Sequence, residues 1–216
     1  MEQKEKKVAA SWSGKKKAGV VVAAVVVIYA LISIFFHFHF FPGTEINGYA
    51  CGFRSVGKVK EMIREGVDAY SITITEREGR QEKVNSSQVG LAFTDDGKLE
   101  QIKAEQKPYA WITFPFIKKE YPDGVTLKVD ENAYDETFHS LDAFDAELVT
   151  APVDAWSRYN KETNSYDIVE EIYGNTVKEE EFYQALKEAI LRQDGVIDIE
   201  KAGCYENPVY KKDSEE

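Results

Sequence analysis

"HFFPGTEINGYACG", residues 39–52, joins the end of a long apolar run to one of only two cysteines in the chain. On its N-terminal side, residues 18–36 are nineteen apolar or small residues with no charge and a single serine, and residues 37–41 lengthen the run. At about 1.5 Å per residue, nineteen helical residues span roughly 28 Å, close to the ~30 Å of a bilayer's hydrocarbon core. A cleaved secretory signal has a shorter apolar core and ends in small residues, whereas this run ends in the bulky "FFHFHFFPG". The reading is an uncleaved transmembrane signal anchor over 18–41, preceded by a basic tail over 1–17. Lys4, Lys6, Lys7, Lys15, Lys16 and Lys17 all lie in that tail, so the positive-inside rule keeps it in the cytoplasm and puts everything after Pro42 outside the cell membrane.

The 175 residues after Phe41 carry 21 basic and 36 acidic side chains, a net charge near −15. Such an excess of carboxylates excludes nucleic acid as a partner, because phosphate binding needs Lys and Arg to displace counterions. The length suits one medium domain or two small ones. Cys51 and Cys204 both fall on the outer side, where oxidising conditions permit a disulfide. Their separation and the lack of nearby histidines do not fit a zinc site. Two readings stand: a disulfide closing a loop of about 150 residues, with roughly 5 kcal/mol from chain entropy, or two separate buried thiols.

Along the outer chain, short strands and amphipathic helices alternate, which predicts an α+β region. Ser55 is placed to cap a helix with Val56, Val59, Met62 and Ile63 on one face, with Gly66 as its end. "YSITITERE" alternates as a half-buried strand and turns at Glu78-Gly79-Arg80 into "QEKVN". "GKLEQIKAEQ" is helical until Pro108, and "YAWITFPFIKK" is an aromatic cluster that fits a core plug, a binding surface or a patch on the membrane face. "VTLKVD" reads as a strand, after which Asp130 caps a helix bearing Tyr134, Phe138 and Leu141. Two strand-like segments flank a polar turn at 161–165. Thr176 and Glu179 then form a capping-box pattern ahead of Phe182, Leu186, Ala189 and Ile190, and "GVIDIE" follows as a strand. This helix and strand echo the helix and strand of residues 52–76.

Catalytic grammar is missing from the sequence. His37 and His39 sit at the membrane boundary, and His139 has no nucleophile or partner acid at a recognisable spacing. The acids are too numerous for any pair to stand out, and no EF-hand, phosphate loop or His-Glu-x-x-His pattern occurs. No cofactor or metal is implied.

An apolar anchor followed by "FFPGTEINGYACG" and a capped helix resembles the N-terminal region of membrane-anchored L,D-transpeptidases of Gram-positive bacteria. "TAPVDAWSRYNKETNSYDIVEEIYGNTVKEEEFYQALKEAI" with "IDIEKAGCYENPVY" is similar to the peptidoglycan-binding domain found ahead of YkuD-type catalytic domains and in VanW-like proteins. The most specific elements are Ala151-Pro152-x-Asp154-Ala155, Tyr173-Gly174-Asn175 and Cys204-Tyr205-x-x-Pro208. The resemblance implies a first α+β segment over 42–94, a peptidoglycan-binding domain over 95–210 and a tail or linker over 211–216.

In that family the catalytic cysteine belongs to a separate C-terminal domain with a Ser-His-Gly-Cys motif. The motif does not occur here, and Cys204 sits in the binding-module pattern instead, so the chain as given is not expected to be an enzyme. The expected function is membrane-anchored peptidoglycan binding linked to cell-wall cross-linking. The alternatives are an N-terminal piece of an L,D-transpeptidase, since the chain stops at "YKKDSEE" where relatives continue, or a spacer without wall affinity. Glycan and peptide grooves use aromatic faces and a few polar groups, which makes Trp156, Tyr173 and Asn175 ligand-binding candidates; the same residues also read as core or turn residues.

Overall fold

The computed structural model describes residues 14–116 and 119–213. Lys4, Lys6 and Lys7 of the basic tail, residues 117–118 and residues 214–216 lie outside the described residues. The fold is α+β, a long N-terminal apolar helix followed by small sheets and helices. In chain order the elements are α1 (Gly14–Phe38), β1 (Thr44–Ile46), β2 (Tyr49–Ala50), α2 (Val56–Asp68), β3 (Ser71–Thr75), β4 (Gln81–Asn85) and β5 (Ala92–Thr94). They continue with α3 (Lys98–Glu105), β6 (Lys119–Tyr121), β7 (Thr126–Lys128), α4 (Glu131–His139), β8 (Trp156–Asn160), β9 (Ser165–Val169), α5 (Glu179–Leu191) and β10 (Val196–Asp198). Within α1, Lys16–Phe38 is long and apolar enough to cross a membrane or to act as a signal sequence.

The chain groups into two compact units that interleave: residues up to Val59 with Gly97–Gly124, and Lys60–Asp96 with the residues from Val125 onward. The chain passes from one unit to the other three times, at 59/60 within α2, at 96/97 and at 124/125.

In the first unit, Asn47 and Gly48 both take positive φ, 46° and 79°, the turn that lets β1 and β2 form a tight antiparallel hairpin. β6 pairs parallel on the other side of β1. Phe40, Phe41, Ile46, Leu99 and Ile102 are buried. Gly124 is needed here, because a Cβ on it would stand 2.9 Å from Ile102 Cδ1 and closer still to Ile46. Pro108 follows the end of α3, as expected, and the cluster after it is a 3-10 segment, Pro108–Phe116, lying against α1. Trp111 packs on Tyr29 and Phe36, with centroids 5.7 and 6.3 Å apart, while Tyr109 and Ile112 are each 59% exposed.

The second unit is built on the sheet β10-β3-β4, in which β3 and β4 are antiparallel and β10 runs parallel to β3. The two helix–strand segments that echo each other in sequence thus place their strands side by side. Ile72, Ile74, Val84, Ile197 and Ile199 are buried, as are Phe182, Leu186, Ala189 and Ile190 of α5 and Tyr134 and Phe138 of α4. Asp130 caps α4 as read, its Oδ1 accepting from the Ala133 N–H at 2.9 Å.

Two helix boundaries differ from the sequence reading. Gly66 does not end α2, which runs on to Asp68; burial of Val67 is worth more than the ~1 kcal/mol that a helical glycine costs. Thr176 and Glu179 form no capping box, for α5 starts at Glu179 with Lys178 as N-cap. Residues 176–178 are instead held extended against the Cys204–Glu206 segment, through Lys178 N–H to Cys204 O at 2.7 Å and Glu206 N–H to Thr176 O at 2.9 Å. Tertiary pairing of that strand-like stretch overrides the local cap.

Candidate functional site

β8 and β9 form a hairpin with Trp156 opposite Val169 and Tyr159 opposite Tyr166, and a bridge between Val153 and Ile172 extends it into a longer two-stranded ribbon. A two-stranded ribbon has no second layer to bury either face. Trp156, Tyr159, Tyr166 and Ile168 are accordingly exposed, Tyr166 by 70%. The Tyr159 and Tyr166 rings meet edge to face at 5.3 Å, a cross-strand aromatic pair that stiffens the ribbon.

The base of the ribbon is where the three motif fragments meet. Gly174 has φ +60°, and a Cβ on it would overlap the Thr150 carbonyl oxygen and stand 2.7 and 2.8 Å from Ala151 C and Pro152 N. Only glycine lets these two backbones approach so closely. Asn175 fastens the same contact: its Oδ1 accepts from the Thr150 N–H, its Nδ2 donates to Leu148 O at 3.0 Å, and its own N–H donates to Thr150 O at 2.8 Å. Asp154 Oδ1 accepts from the N–H groups of Val209 and Tyr210 at 2.6 and 3.1 Å, tying the C-terminal motif to the start of the ribbon.

Arg77, at the tip of the β3–β4 hairpin, locks this base. Its guanidinium donates to Tyr173 O at 3.0 Å, Gly174 O at 2.8 Å and Asn207 Oδ1 at 2.6 Å, and it pairs with both carboxylate oxygens of Glu200. It also lies 4.3 Å from the Tyr205 ring centroid, and the Tyr205 hydroxyl accepts from the Arg77 N–H at 3.0 Å. Hydrogen bonding to Arg77 holds the Glu200 carboxyl below its usual range. An arginine fork suits this task because one planar group reaches several acceptors at once.

Between the hairpin tip and the ribbon base lies a cleft of about 720 Å³, lined by Arg77, Arg80, Leu148, Ile172, Tyr173 and Asn175 among others. Arg80 is engaged on one side by the buried Glu76, and this hydrogen bond is the main cause of its raised pKa. The Tyr173 ring lies 5.2 Å from Lys211 Nζ and 5.6 Å from the Arg77 guanidinium carbon. The cleft therefore offers an aromatic ring, two aliphatic side chains and two arginines already paired with Glu200 and Glu76, with Glu78 also on its wall.

Of the three candidates from the sequence, Tyr173 and Asn175 line this cleft and Trp156 lies on the ribbon. Asn175 spends its amide on the backbone of residues 148–150, so it shapes the site from behind. Arg77 and Arg80 were missed; the only signal was a pair of arginines flanking the Glu78-Gly79 turn.

Cys51 and Cys204 are free, buried thiols in this structure, and the disulfide reading is not realised there. Each belongs to a different unit and is satisfied locally, Cys51 Sγ donating to Tyr49 O at 3.2 Å and Cys204 Sγ to Ala202 O at 3.5 Å. Burial pushes the Cys51 thiol up to about 11 and raises Cys204 as well. Among the described residues no group of three or more His, Cys, Asp and Glu is placed to hold a metal ion. His139 bridges α4 to the start of α5 through Glu179 Oε1 at 3.2 Å. The chain matches no protein-family model, no curated protein and no solved structure.

Proposed function

We propose that the chain is a membrane-anchored, extracellular peptidoglycan-binding module, held by α1 as a single-pass signal anchor with its N-terminus in the cytoplasm. The observation that carries the reading is the exposed aromatic ribbon leading into the Arg80–Tyr173 cleft. Sugar rings present flat C–H faces that stack on aromatic side chains, and stem peptides present carboxylates that complement arginine. The sequence patterns that resemble wall-binding modules converge on this ribbon base, through Asp154, Gly174 and Asn175. In a longer protein carrying a C-terminal L,D-transpeptidase domain, the module would hold that enzyme at its substrate.

Sedimentation of the detergent-solubilised full chain with purified insoluble peptidoglycan tests the reading. Retention in the pellet, reduced about tenfold or more by Tyr166→Ala combined with Ile168→Ala, is the expected result. Folded protein left in the supernatant would overturn it and leave a spacer role.

A further inference from the structure

The Pro108–Phe116 segment takes no part in the cleft or the ribbon, yet it presents two of the more exposed large apolar side chains outside α1. We infer that Pro108–Phe116 is a second membrane-inserted element, a short 3-10 segment lying in the outer leaflet against α1 with Tyr109 and Ile112 facing lipid acyl chains. The inference rests on the proposed crossing of the membrane by α1.

Depth is the first argument. Tyr29 lies within the uncharged run of α1, nine residues before Phe38, or about 13 Å along the helix axis. Half of a bilayer's hydrocarbon core is about 15 Å. The Tyr29 hydroxyl donates to the carbonyl of Tyr109, and Trp111 rests between Tyr29 and Phe36. If α1 crosses the membrane, a segment bonded to Tyr29 lies among the lipid chains.

The second argument is composition. No charge occurs from Pro108 to Ile117, while Lys107 precedes the stretch and Lys118 and Lys119 follow it in the sequence, the arrangement that lets ammonium groups reach the headgroups from either end. The other long charge-free stretch of the outer chain, Val84–Thr94, carries Asn85, Ser86, Ser87, Gln88 and Thr94, whereas Pro108–Ile117 has Thr113 as its one non-aromatic polar residue.

Backbone chemistry supplies the third. In hydrocarbon an unpaired peptide group costs several kcal/mol, so irregular backbone survives only where its polar groups are met from within the protein. Here Ala110 N–H donates to Lys107 O at 2.8 Å, the Thr113 hydroxyl donates to Ala110 O at 2.8 Å, and the Tyr29 hydroxyl meets Tyr109 O. Two hydroxyl side chains thus serve carbonyls that water would otherwise solvate. Beside them runs an apolar groove of about 410 Å³ between Ile34, Phe38, Pro108 and Tyr109, wide enough for part of an acyl chain.

The test uses the full chain in vesicles of equal phosphatidylcholine and phosphatidylglycerol, with Trp12→Phe and Trp156→Phe leaving Trp111 as the sole indole. Lipids brominated along the acyl chain should quench Trp111 emission by more than half, and iodide should leave it unchanged. In a parallel preparation, Ile112→Cys should resist a membrane-impermeant maleimide until detergent is added, whereas Ser87→Cys, exposed in the second unit, reports the accessible fraction. Quenching by iodide without quenching by bromolipid, or labelling of Ile112→Cys equal to that of Ser87→Cys, overturns the insertion. Alkaline carbonate separates the two failures. A chain washed from the vesicles has lost the anchor itself, and a chain that stays while residue 112 is labelled has lost only the inserted segment.

Discussion

The Pro108–Phe116 segment and the β8–β9 ribbon both expose aromatic and aliphatic side chains, but one carries no charge while the other is interrupted by Arg158, Lys161, Glu162 and Asp167. Apolar exposure alone does not choose a partner. A side chain in lipid cannot have a charged neighbour at the same depth without a cost of a few kcal/mol, whereas a surface that meets hydrated sugar or peptide can. The segment also satisfies its carbonyls with hydroxyls, while the ribbon's polar turn hydrogen-bonds through Asn160 and faces water. The proposals of lipid for the first surface and of the wall for the second rest on this contrast, and it can be broken at either.

The largest effect is expected from Gly174→Ala, which combines a left-handed backbone with overlap onto the backbone of residues 150–152; a loss of roughly 3 kcal/mol is expected in urea unfolding, with loss of wall retention. Gly43→Ala, at φ +74° with open space around it, should cost only about 1 kcal/mol. Next comes a matched pair. Ile112→Asp should disfavour membrane insertion by about 2.5–3.5 kcal/mol, seen as a drop in bromolipid quenching of Trp111, while Ile168→Asp should change stability by less than about 0.5 kcal/mol and reduce sedimentation with peptidoglycan. Equal behaviour of the two variants in both assays would collapse the distinction. A kinetic effect follows at the cysteines. With the Cys51 thiol pushed up to about 11, its alkylation in native protein at pH 7.5 should be far slower than after unfolding, and unfolded, unreduced chain should yield two titratable thiols.

The smallest effect is a pH dependence at His139, whose pKa is raised by hydrogen bonds to Asp135 O and then to Glu179. A raised folded pKa means that the contribution is complete below the unfolded value, about 6.5, and fades as pH climbs through the folded one. Thermal melts should show a slight decline in Tm across that window, absent in His139→Gln, with Trp111 quenching unaltered.

The elements most legible in the sequence are those in which local pattern and burial agree. The 3.6-residue spacing of Phe182, Leu186, Ala189 and Ile190 and the alternation in "SITIT" needed no tertiary information to be read as helix and strand. Thr176 shows the opposite case, because nothing local announces that residues 204–206 will pair with it and hold the chain extended past the cap. The site was half legible for the same reason. Tyr173 and Asn175 stand in a recognisable turn, but Arg77 reaches the Tyr173 and Gly174 carbonyls from about a hundred residues earlier in the chain, and long-range partnerships leave no periodic trace.

Gln106, buried beside the exit of α1, accepts from the Phe41 N–H at 2.8 Å and donates to Thr44 Oγ1 at 2.9 Å, so the end of α3 grips both sides of the Pro42-Gly43 corner. His39 and Ser55 add a bridge across the same corner, and the Phe40 and Arg54 backbones bond at 2.9 Å. In mechanical terms the joint is a bracket and not a tether. Tension applied to β1 or α3 would be transmitted directly to the end of α1, with no slack linker to absorb it.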